Sequence, residues 1–156
     1  MSVIGGLIVL VVVLAAASAA GFGLRARQGR FRRAKQASAP LSGEPGQLSG
    51  KPGQLTAADL GAPLGRRATL VQFSTEFCTY CGPTRDLLSE LASERDGVAF
   101  VEIDAADRMD LTRRLRVMST PTVLVLGADG AIERRSSGQP RKPDLLAAVG
   151  AVLAGE

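Results

Sequence analysis

Residues 69–85 have the sequence TLVQFSTEFCTYCGPTR and contain both cysteines of the chain, Cys78 and Cys81. The apolar residues up to Ser74 predict a short strand, and the residues that follow the cysteines predict a helix. A Cys-x-x-Cys pair at such a junction is typical of a redox-active dithiol. Because the loop between these cysteines is too short for a disulfide to stabilise the fold much, we interpret the pair as chemical rather than structural.

The composition excludes several other kinds of site. The 156 residues include no histidine, which rules out Cys–His and Ser–His–Asp catalysis and leaves a copper carrier without its usual imidazole ligand. A structural zinc site needs four nitrogen or sulfur ligands, and two cysteines cannot supply them. We therefore expect a site without metal or cofactor, in which the two thiols carry the chemistry.

The segments around the cysteine pair predict alternating strands and helices. Ala68–Ser74 has the continuous apolar character of a strand buried on both faces of a sheet. The other predicted elements are a short helix capped by Thr56, a helix over Thr79–Arg95, a strand over Val98–Ile103, a short helix from Asp107 to Leu115, hairpin strands over Thr122–Leu126 and Ala131–Ser136, and an amphipathic helix over Pro143–Leu153. This order predicts an α/β sandwich with helices flanking a mixed sheet.

About two-thirds of the chain, from Leu60 to Leu153, resembles the thioredoxin superfamily. Phe73, at the end of an apolar strand, lies five residues before Cys78, and the dipeptide Thr120-Pro121 ends 43 residues after that cysteine. A strand, an Asp-Gly turn, a second strand and a last helix follow the dipeptide. The resemblance implies a thioredoxin-like sandwich. The apolar stretch at residues 2–24, described below, predicts a single transmembrane helix in front of it.

The resemblance also implies roles for the site residues. Cys78 would be the attacking thiol, Cys81 the resolving thiol, and Pro121 a cis-proline beside them. The positive end of a helix dipole would stabilise a thiolate at Cys78, and the thiolate is the form that attacks a disulfide. A cis peptide bond here would expose backbone with which an extended substrate can pair. The expected substrate-binding residues are Phe77, Thr79, Tyr80, Thr120 and Pro121.

The sequence departs from the family pattern around the cysteines. Phe77 replaces the usual tryptophan and is expected to keep its apolar shielding, and Thr79-Tyr80 replaces Gly-Pro. The family usually has a buried aspartate that helps to deprotonate the resolving cysteine, with a lysine as its common partner. This chain has Gln72 and Phe100 at those positions. Since an amide cannot take a proton, we expect resolution by Cys81 to be slow.

Residues 2–24 form an uncharged apolar stretch of 23 residues, SVIGGLIVLVVVLAAASAAGFGL. As a helix rising about 1.5 Å per residue it would be roughly 34 Å long, enough to cross a bilayer. A cleaved signal peptide is the alternative, since Ala17-Ser18-Ala19 resembles a cleavage site. No lysine or arginine precedes the stretch, however, and a signal peptide begins with positive charge. We expect an uncleaved single-pass transmembrane anchor.

The positive charge of the chain is concentrated after this stretch. Residues 25–35 carry six arginines and lysines and no acid, whereas residues 56–156 carry 12 basic and 14 acidic side chains, a net charge of −2. The basic segment therefore indicates contact with lipid headgroups and a topology signal rather than nucleic-acid binding. By the positive-inside rule, we expect the N-terminus outside and the C-terminal domain in the cytoplasm.

Residues 36–55 are rich in Gly, Pro and Ser and contain a near-duplication, LSGEPGQ followed by LSGKPGQ. This composition predicts a flexible linker in front of a domain over residues 56–156.

The sequence thus predicts a membrane-tethered thiol–disulfide oxidoreductase that acts on protein disulfides at the cell membrane and needs an upstream reductase or other reductant. One alternative is a TlpA-like thiol reductase on the outer face of the membrane. Another is a non-catalytic interaction module that keeps the fold and uses its groove only for binding.

Overall fold

The computed structural model describes residues 10–15, 18, 31–33 and 53–155. Residues 10–15 and 18 are helical, and the side chains of residues 10–14 are exposed. Within the described part of the chain, no helix combines the length and the apolar character needed to cross a bilayer. The predicted transmembrane helix over residues 2–24 and the predicted linker over residues 36–55 fall mostly outside the described residues.

The described residues form five strands and four further helices. The strands are β1 (Arg32–Arg33), β2 (Ala68–Ser74), β3 (Val98–Asp104), β4 (Thr122–Gly127) and β5 (Ile132–Ser137), and the helices are α1 (Ala57–Leu60), α2 (Cys81–Ser93), α3 (Met109–Arg114) and α4 (Lys142–Ala154). From β2 onward, this is the α/β order that the sequence predicts.

The five strands form one mixed sheet in the order β1-β5-β4-β2-β3. Strand β2 is parallel to β3 and antiparallel to β4, so it lies inside the sheet, and all seven of its residues are buried. A strand covered on both faces can be apolar throughout, which is why its sequence does not alternate. Because β2 lies inside the sheet, the cysteine loop that follows its last residue, Ser74, lies at the end of a central strand.

Each face of the sheet carries its own hydrophobic cluster, because successive side chains of a strand point to opposite faces. Val71 and Phe73 of β2 pack with Leu111 of α3 on one face. On the other face, Leu70 packs with residues of α2 and α4, among them Leu88 and Leu145. Each fully buried side chain of this size contributes about 1.5–3 kcal/mol, so the two clusters hold the helices that flank the site.

Three helices differ from their predictions. Helix α2 begins at Cys81 rather than at Thr79, because Cys78 and the two residues after it form a turn. Helix α3 begins at Met109, and Asp107 precedes it without capping it, since the N-cap position belongs to Arg108 and no side chain caps the helix. Helix α4 was predicted to be amphipathic, yet it carries no charged residue from Leu145 to its end and is apolar on nearly every face.

The start of the domain has the predicted helix cap. The Thr56 hydroxyl accepts from the Asp59 N–H, and the Asp59 carboxylate accepts from the Thr56 N–H at 2.8 Å, which makes a reciprocal capping box. Leu55, at the end of the predicted linker, is fully buried, and its N–H donates to the Gly130 carbonyl at 2.9 Å. A Cβ atom at Gly130 would lie 2.0 Å from the Leu55 carbonyl oxygen, so the β4–β5 turn requires glycine.

Part of the basic segment also joins the sheet. Arg32 and Arg33 pair antiparallel with β5, and Phe31 packs against the cluster formed by α2 and α4. The sequence gives no sign of this strand, because the free N–H and C=O groups of a sheet edge can pair with almost any backbone. The folded domain therefore includes residues that come before the predicted linker.

Candidate active site at the Cys78–Cys81 disulfide

The two cysteines lie where β2 passes into α2. Their sulfur atoms form a disulfide with an S–S distance of 2.05 Å and a Cα–Cα distance of 5.4 Å. Two backbone bonds shape the turn: the Cys78 N–H donates to the Thr75 carbonyl at 3.2 Å, and the Cys81 N–H donates to the Cys78 carbonyl at 3.1 Å. The disulfide therefore closes one short turn between the end of β2 and the start of α2.

The two cysteines differ in access to solvent. Cys81 is 3% exposed, at the first position of α2, whereas Cys78 is only partly buried in the preceding turn. An incoming thiol or disulfide reaches the more open sulfur first. This difference matches the roles that the resemblance implies, with Cys78 as the attacking thiol and Cys81 as the resolving thiol.

Helix α2 supplies the electrostatic setting of the pair. Its positive dipole end faces the cysteine turn, and a partial positive charge there favours a thiolate over a thiol. The first turn of the helix contains Pro83, which has no N–H. Backbone donors for a sulfur anion must therefore come from residues on either side of this proline.

A second loop meets the cysteine turn. The Thr120–Pro121 peptide bond is cis, as the resemblance implies. The hydroxyls of Thr75 and Thr120 lie 3.1 Å apart, within hydrogen-bond distance, and join the two loops directly. On its other side, Pro121 is anchored by its carbonyl, which accepts from the Gly138 N–H at 2.7 Å. The fold thus brings together residues that are more than 40 positions apart in the sequence.

Comparison with protein families agrees with this arrangement. The family model described as Thioredoxin matches residues 58–151, which is more than half of the chain. The chain belongs to the thioredoxin family. A thioredoxin domain whose CxxC pair forms a disulfide supports thiol–disulfide oxidoreductase chemistry at Cys78 and Cys81.

Individual thioredoxins are similar to parts of this chain. A thioredoxin from Echinococcus granulosus is 36% identical over 52 residues, which cover 31% of this chain and 49% of the relative. The chain therefore spans about half the length of the curated relative that it matches. Among solved structures, chloroplastic thioredoxin z superposes with a TM-score of 0.52 and 27% identity, covering 58% of this chain and 81% of its own. A thioredoxin mutant from Halobacterium salinarum superposes with a TM-score of 0.51 and 18% identity, covering 56% of this chain and 76% of its own, and shows the shared fold alone.

A buried glutamine contacts the backbone of Cys81. Gln72, on β2, is fully buried, and its Nε2 donates to the Cys81 carbonyl at 2.9 Å. Its Oε1 is also buried and has no hydrogen-bond partner among the residues that the structure describes. The amide therefore fixes the start of α2, but it cannot accept a proton from Cys81.

Arg135 of β5 holds the loop that carries the cis-proline, and no sequence pattern predicted this role. Arg135 donates to the carbonyls of Leu115 and Arg116, at the end of α3. Burial lowers the pKa of this guanidinium, which still remains charged and suits the negative end of a helix. Arg116 has a φ of 50°, so these bonds fix an unusual turn. Only the tertiary structure places Arg135 beside it, since no motif links the two segments.

Apolar side chains stand exposed around the disulfide. Phe77, which precedes Cys78, is 92% exposed, and Tyr80, which lies between the two cysteines, is 56% exposed. The predicted shielding role of Phe77 is therefore wrong, because a ring so open covers almost nothing. Thr79 is exposed as well, whereas Thr120 is partly buried and Pro121 is buried.

Met118, three residues before the cis-proline, is 90% exposed and was not predicted. A large apolar side chain three residues before the Thr-Pro dipeptide's proline is the signal that could have identified it. Such residues offer contact area to a bound polypeptide.

Two arginines make ion pairs away from the disulfide. Arg85 of α2 binds Glu102 of β3 through two N–H groups at 2.5 and 2.7 Å. The hydrogen bonds from Arg85 lower the pKa of the Glu102 carboxyl, although partial burial opposes them. Arg114 lies 3.2 Å from the buried Asp59 carboxylate. Neither pair touches the disulfide, so both support the scaffold.

Among the described residues, no cluster of three or more Cys, His, Asp or Glu side chains could hold a metal ion.

Proposed function

We propose that this protein is a thiol–disulfide oxidoreductase that exchanges disulfides with protein substrates through Cys78 and Cys81. The main support is a disulfide between a partly buried Cys78 and a buried Cys81, in a turn that the Thr75–Thr120 contact joins to the Thr120–Pro121 loop. The exposed Phe77, Tyr80 and Met118 offer apolar contacts to a substrate chain. A non-catalytic interaction module would not need a disulfide between a partly exposed cysteine and a buried one.

In the reducing direction, the reaction has two exchange steps. The Cys78 thiolate attacks one sulfur of the substrate disulfide, which forms a mixed disulfide and releases the other substrate sulfur as a thiolate that takes up a proton. Cys81 then loses its proton and attacks the Cys78 sulfur. This step restores the Cys78–Cys81 disulfide and releases the second substrate sulfur. Two electrons pass to the substrate, so an upstream dithiol reductant must return two electrons before the next cycle.

The activity can be tested with insulin, whose reduction by the full-length protein is followed with dithiothreitol as the electron donor. We expect loss of the protein-dependent rate in Cys78→Ser. We expect Cys81→Ser to accumulate a mixed disulfide with the insulin chain, detected by non-reducing mass spectrometry. If Cys78→Ser kept the wild-type rate, the interaction-module alternative would be favoured.

The same proposal includes a membrane tether through residues 2–24 with the domain in the cytoplasm. It is supported by the length of this apolar stretch and by the six positive charges that follow it. Flotation with vesicles tests membrane insertion, and thiol labelling of intact cells with an impermeant reagent tests the side. Labelling of Cys78 from outside would favour the TlpA-like alternative.

A further inference from the structure

We infer that the tether holds the Cys78–Cys81 site facing the bilayer at short range, so that its substrates are disulfides of membrane proteins close to the membrane surface. This inference rests on the proposed function and its membrane anchor. It deepens them because it names where a substrate disulfide must lie. The argument depends on strand β1, on the direction in which the chain reaches it, and on the number of residues before it.

The first step is the attachment of β1 to the domain. Arg32 pairs with Arg135 and Arg33 with Arg134, in antiparallel register. One position earlier, Phe31 packs against the cluster between the sheet and helices α2 and α4. Backbone pairing and side-chain packing thus fix the same three residues. The chain is therefore held at β5 before residues 34–52, and those residues connect two points of the folded domain.

The second step is the direction of β1. Going back from Arg33 to Phe31 follows β5 forward towards Ser137, because the two strands are antiparallel. Ser137 pairs with Thr122, the residue directly after the cis-proline, and Thr122 pairs with Phe73 near the end of β2. The chain from the N-terminal apolar stretch therefore reaches β1 from the end of the sheet that carries the disulfide.

The third step is the length of chain available. Phe31 lies seven positions after Leu24, the end of the apolar stretch. Fully extended, this connection spans at most about 25 Å, and as a flexible coil its mean reach is roughly 15 Å. The disulfide lies three strands across from β1, about 14 Å at the usual strand spacing. The site is therefore confined to a layer a few nanometres deep above the lipid.

Without the β1 pairing the geometry would be different. The first fixed residue would then be Gly53, 29 residues after Leu24. That chain has a mean reach of roughly 30 Å and a limit of about 100 Å, so the domain could turn in any direction. The pairing of Arg32 and Arg33 with β5 thus determines whether the site can turn in any direction or is directed at the membrane.

The consequence for substrates is one of effective concentration. For a disulfide of a membrane protein within this layer, the effective concentration of Cys78 is high. For a disulfide held far above the bilayer, it is not. The exposed Phe77, Tyr80 and Met118 lie at the end of the sheet directed at the membrane, where they can contact such a substrate. The exchange chemistry is unchanged: Cys78 attacks the substrate disulfide and Cys81 releases the reduced product.

The experiment uses the full-length protein in vesicles together with a transmembrane peptide that carries a disulfide-bonded loop. In one peptide the loop follows the membrane span directly, and in the other a helical Glu-Ala-Ala-Ala-Lys spacer holds it about 60 Å above the bilayer. The rate of loop reduction is measured for both peptides, and insulin serves as a soluble substrate. We expect the near loop to be reduced about tenfold or more faster than the far loop.

Two variants test the role of β1. In the double variant Phe31→Ser with Arg33→Pro, the packing contact and a backbone donor are lost, and we expect the near-to-far preference to fall to about twofold or less. The matched control, Phe31→Leu with Arg33→Thr, has the same net charge as the Phe31→Ser, Arg33→Pro variant. It should keep the preference. A third variant inserts 30 Gly and Ser residues between Arg30 and Phe31, which leaves β1 intact and lengthens the tether. It should also lose the preference.

The outcomes separate this inference from the proposed function. Equal rates on the near and far loops, with normal insulin reduction, would overturn the inference and leave the oxidoreductase proposal intact. A preference that survives both the detached and the lengthened variants would overturn it too. Absence of Cys78-dependent insulin reduction would refute the proposed function, and failure to float with vesicles would refute the anchor. Either of those results would remove the inference as well.

Discussion

Gln72 is a fully buried polar residue of β2 that contacts Cys81. Its Nε2 holds the Cys81 carbonyl, while its buried Oε1 has no partner in the described part of the chain. We expect Gln72→Asp to speed the release of a Cys78 mixed disulfide by about tenfold or more, because a carboxylate can accept the Cys81 proton. Stopped-flow measurement of release between pH 6 and 9 tests this. Burial of the new carboxyl should also cost stability.

Gln72→Asn is the matched control, because it has the same length as aspartate and cannot titrate. We expect it to release the mixed disulfide no faster than wild type and without a new pH dependence. Equal rates for the aspartate and asparagine variants would show that side-chain length rather than proton acceptance governs this step.

Arg135 supports the loop of the cis-proline from a neighbouring strand. Arg135→Gln removes the charged donors to the Leu115 and Arg116 carbonyls, and we expect a loss of about 1–3 kcal/mol in the free energy of unfolding. Because this turn leads towards Met118, we also expect KM for insulin to rise more than kcat falls. Urea unfolding and insulin kinetics provide the two measurements.

Arg134→Gln is a suitable control, since Arg134 is the neighbouring residue of β5 and, among the described residues, its polar side-chain contacts are with the adjacent Glu133. It should change stability less than Arg135→Gln. A similar loss in both variants would mean that the strand, not the two carbonyl contacts, requires arginine.

At the scale of elements, α1 and α3 are joined through Asp59. Burial acts to raise the pKa of this carboxyl, but the hydrogen bonds from Thr56 and the Arg114 guanidinium outweigh it, so the pKa is below its ordinary value. A depressed pKa in the folded state means that the carboxylate stabilises the fold at neutral pH. This contribution is lost as the pH falls from about 4 through the folded-state pKa.

We therefore expect Asp59→Asn to be less stable than wild type at pH 7, by about 1–3 kcal/mol, and to approach wild type near pH 3. Urea unfolding at several pH values measures the difference. Thr56→Ala should lose about 1 kcal/mol through the capping box. A gap between wild type and Asp59→Asn that is the same at pH 3 and pH 7 would contradict the assigned role of the charge.

At the scale of the whole molecule, β1 closes the β5 edge of the sheet while β3 forms the other edge. We expect Phe31→Ser with Arg33→Pro to increase amide hydrogen exchange in a peptide covering residues 132–137, because β5 then becomes an edge strand. Mass spectrometry measures the exchange, and peptides from β2 should be unaffected. Unchanged exchange in residues 132–137, relative to the control Phe31→Leu with Arg33→Thr, would show that β1 does not protect this edge.

The sequence alone determined the fold from β2 onward and the position of the cysteine pair. Continuous apolar character identified Ala68–Ser74, Asp129-Gly130 identified the hairpin, and Thr56 identified the first helix. Each of these signals is local, since it depends on residues a few positions apart. The resemblance to the thioredoxin superfamily then implied that the Thr120-Pro121 loop meets the cysteine turn.

Only the tertiary structure decided the remaining features. Strand β1, the Arg135 contacts, the exposure of Phe77 and the burial of Leu55 depend on which backbone edge or surface a segment meets after folding. No local sequence pattern predicts such contacts. An edge strand pairs through backbone groups that nearly every residue has, and an arginine lies beside a carbonyl of another element only after the chain has folded. For the same reason, the direction in which the site faces follows from the strand register and not from the composition of the tether.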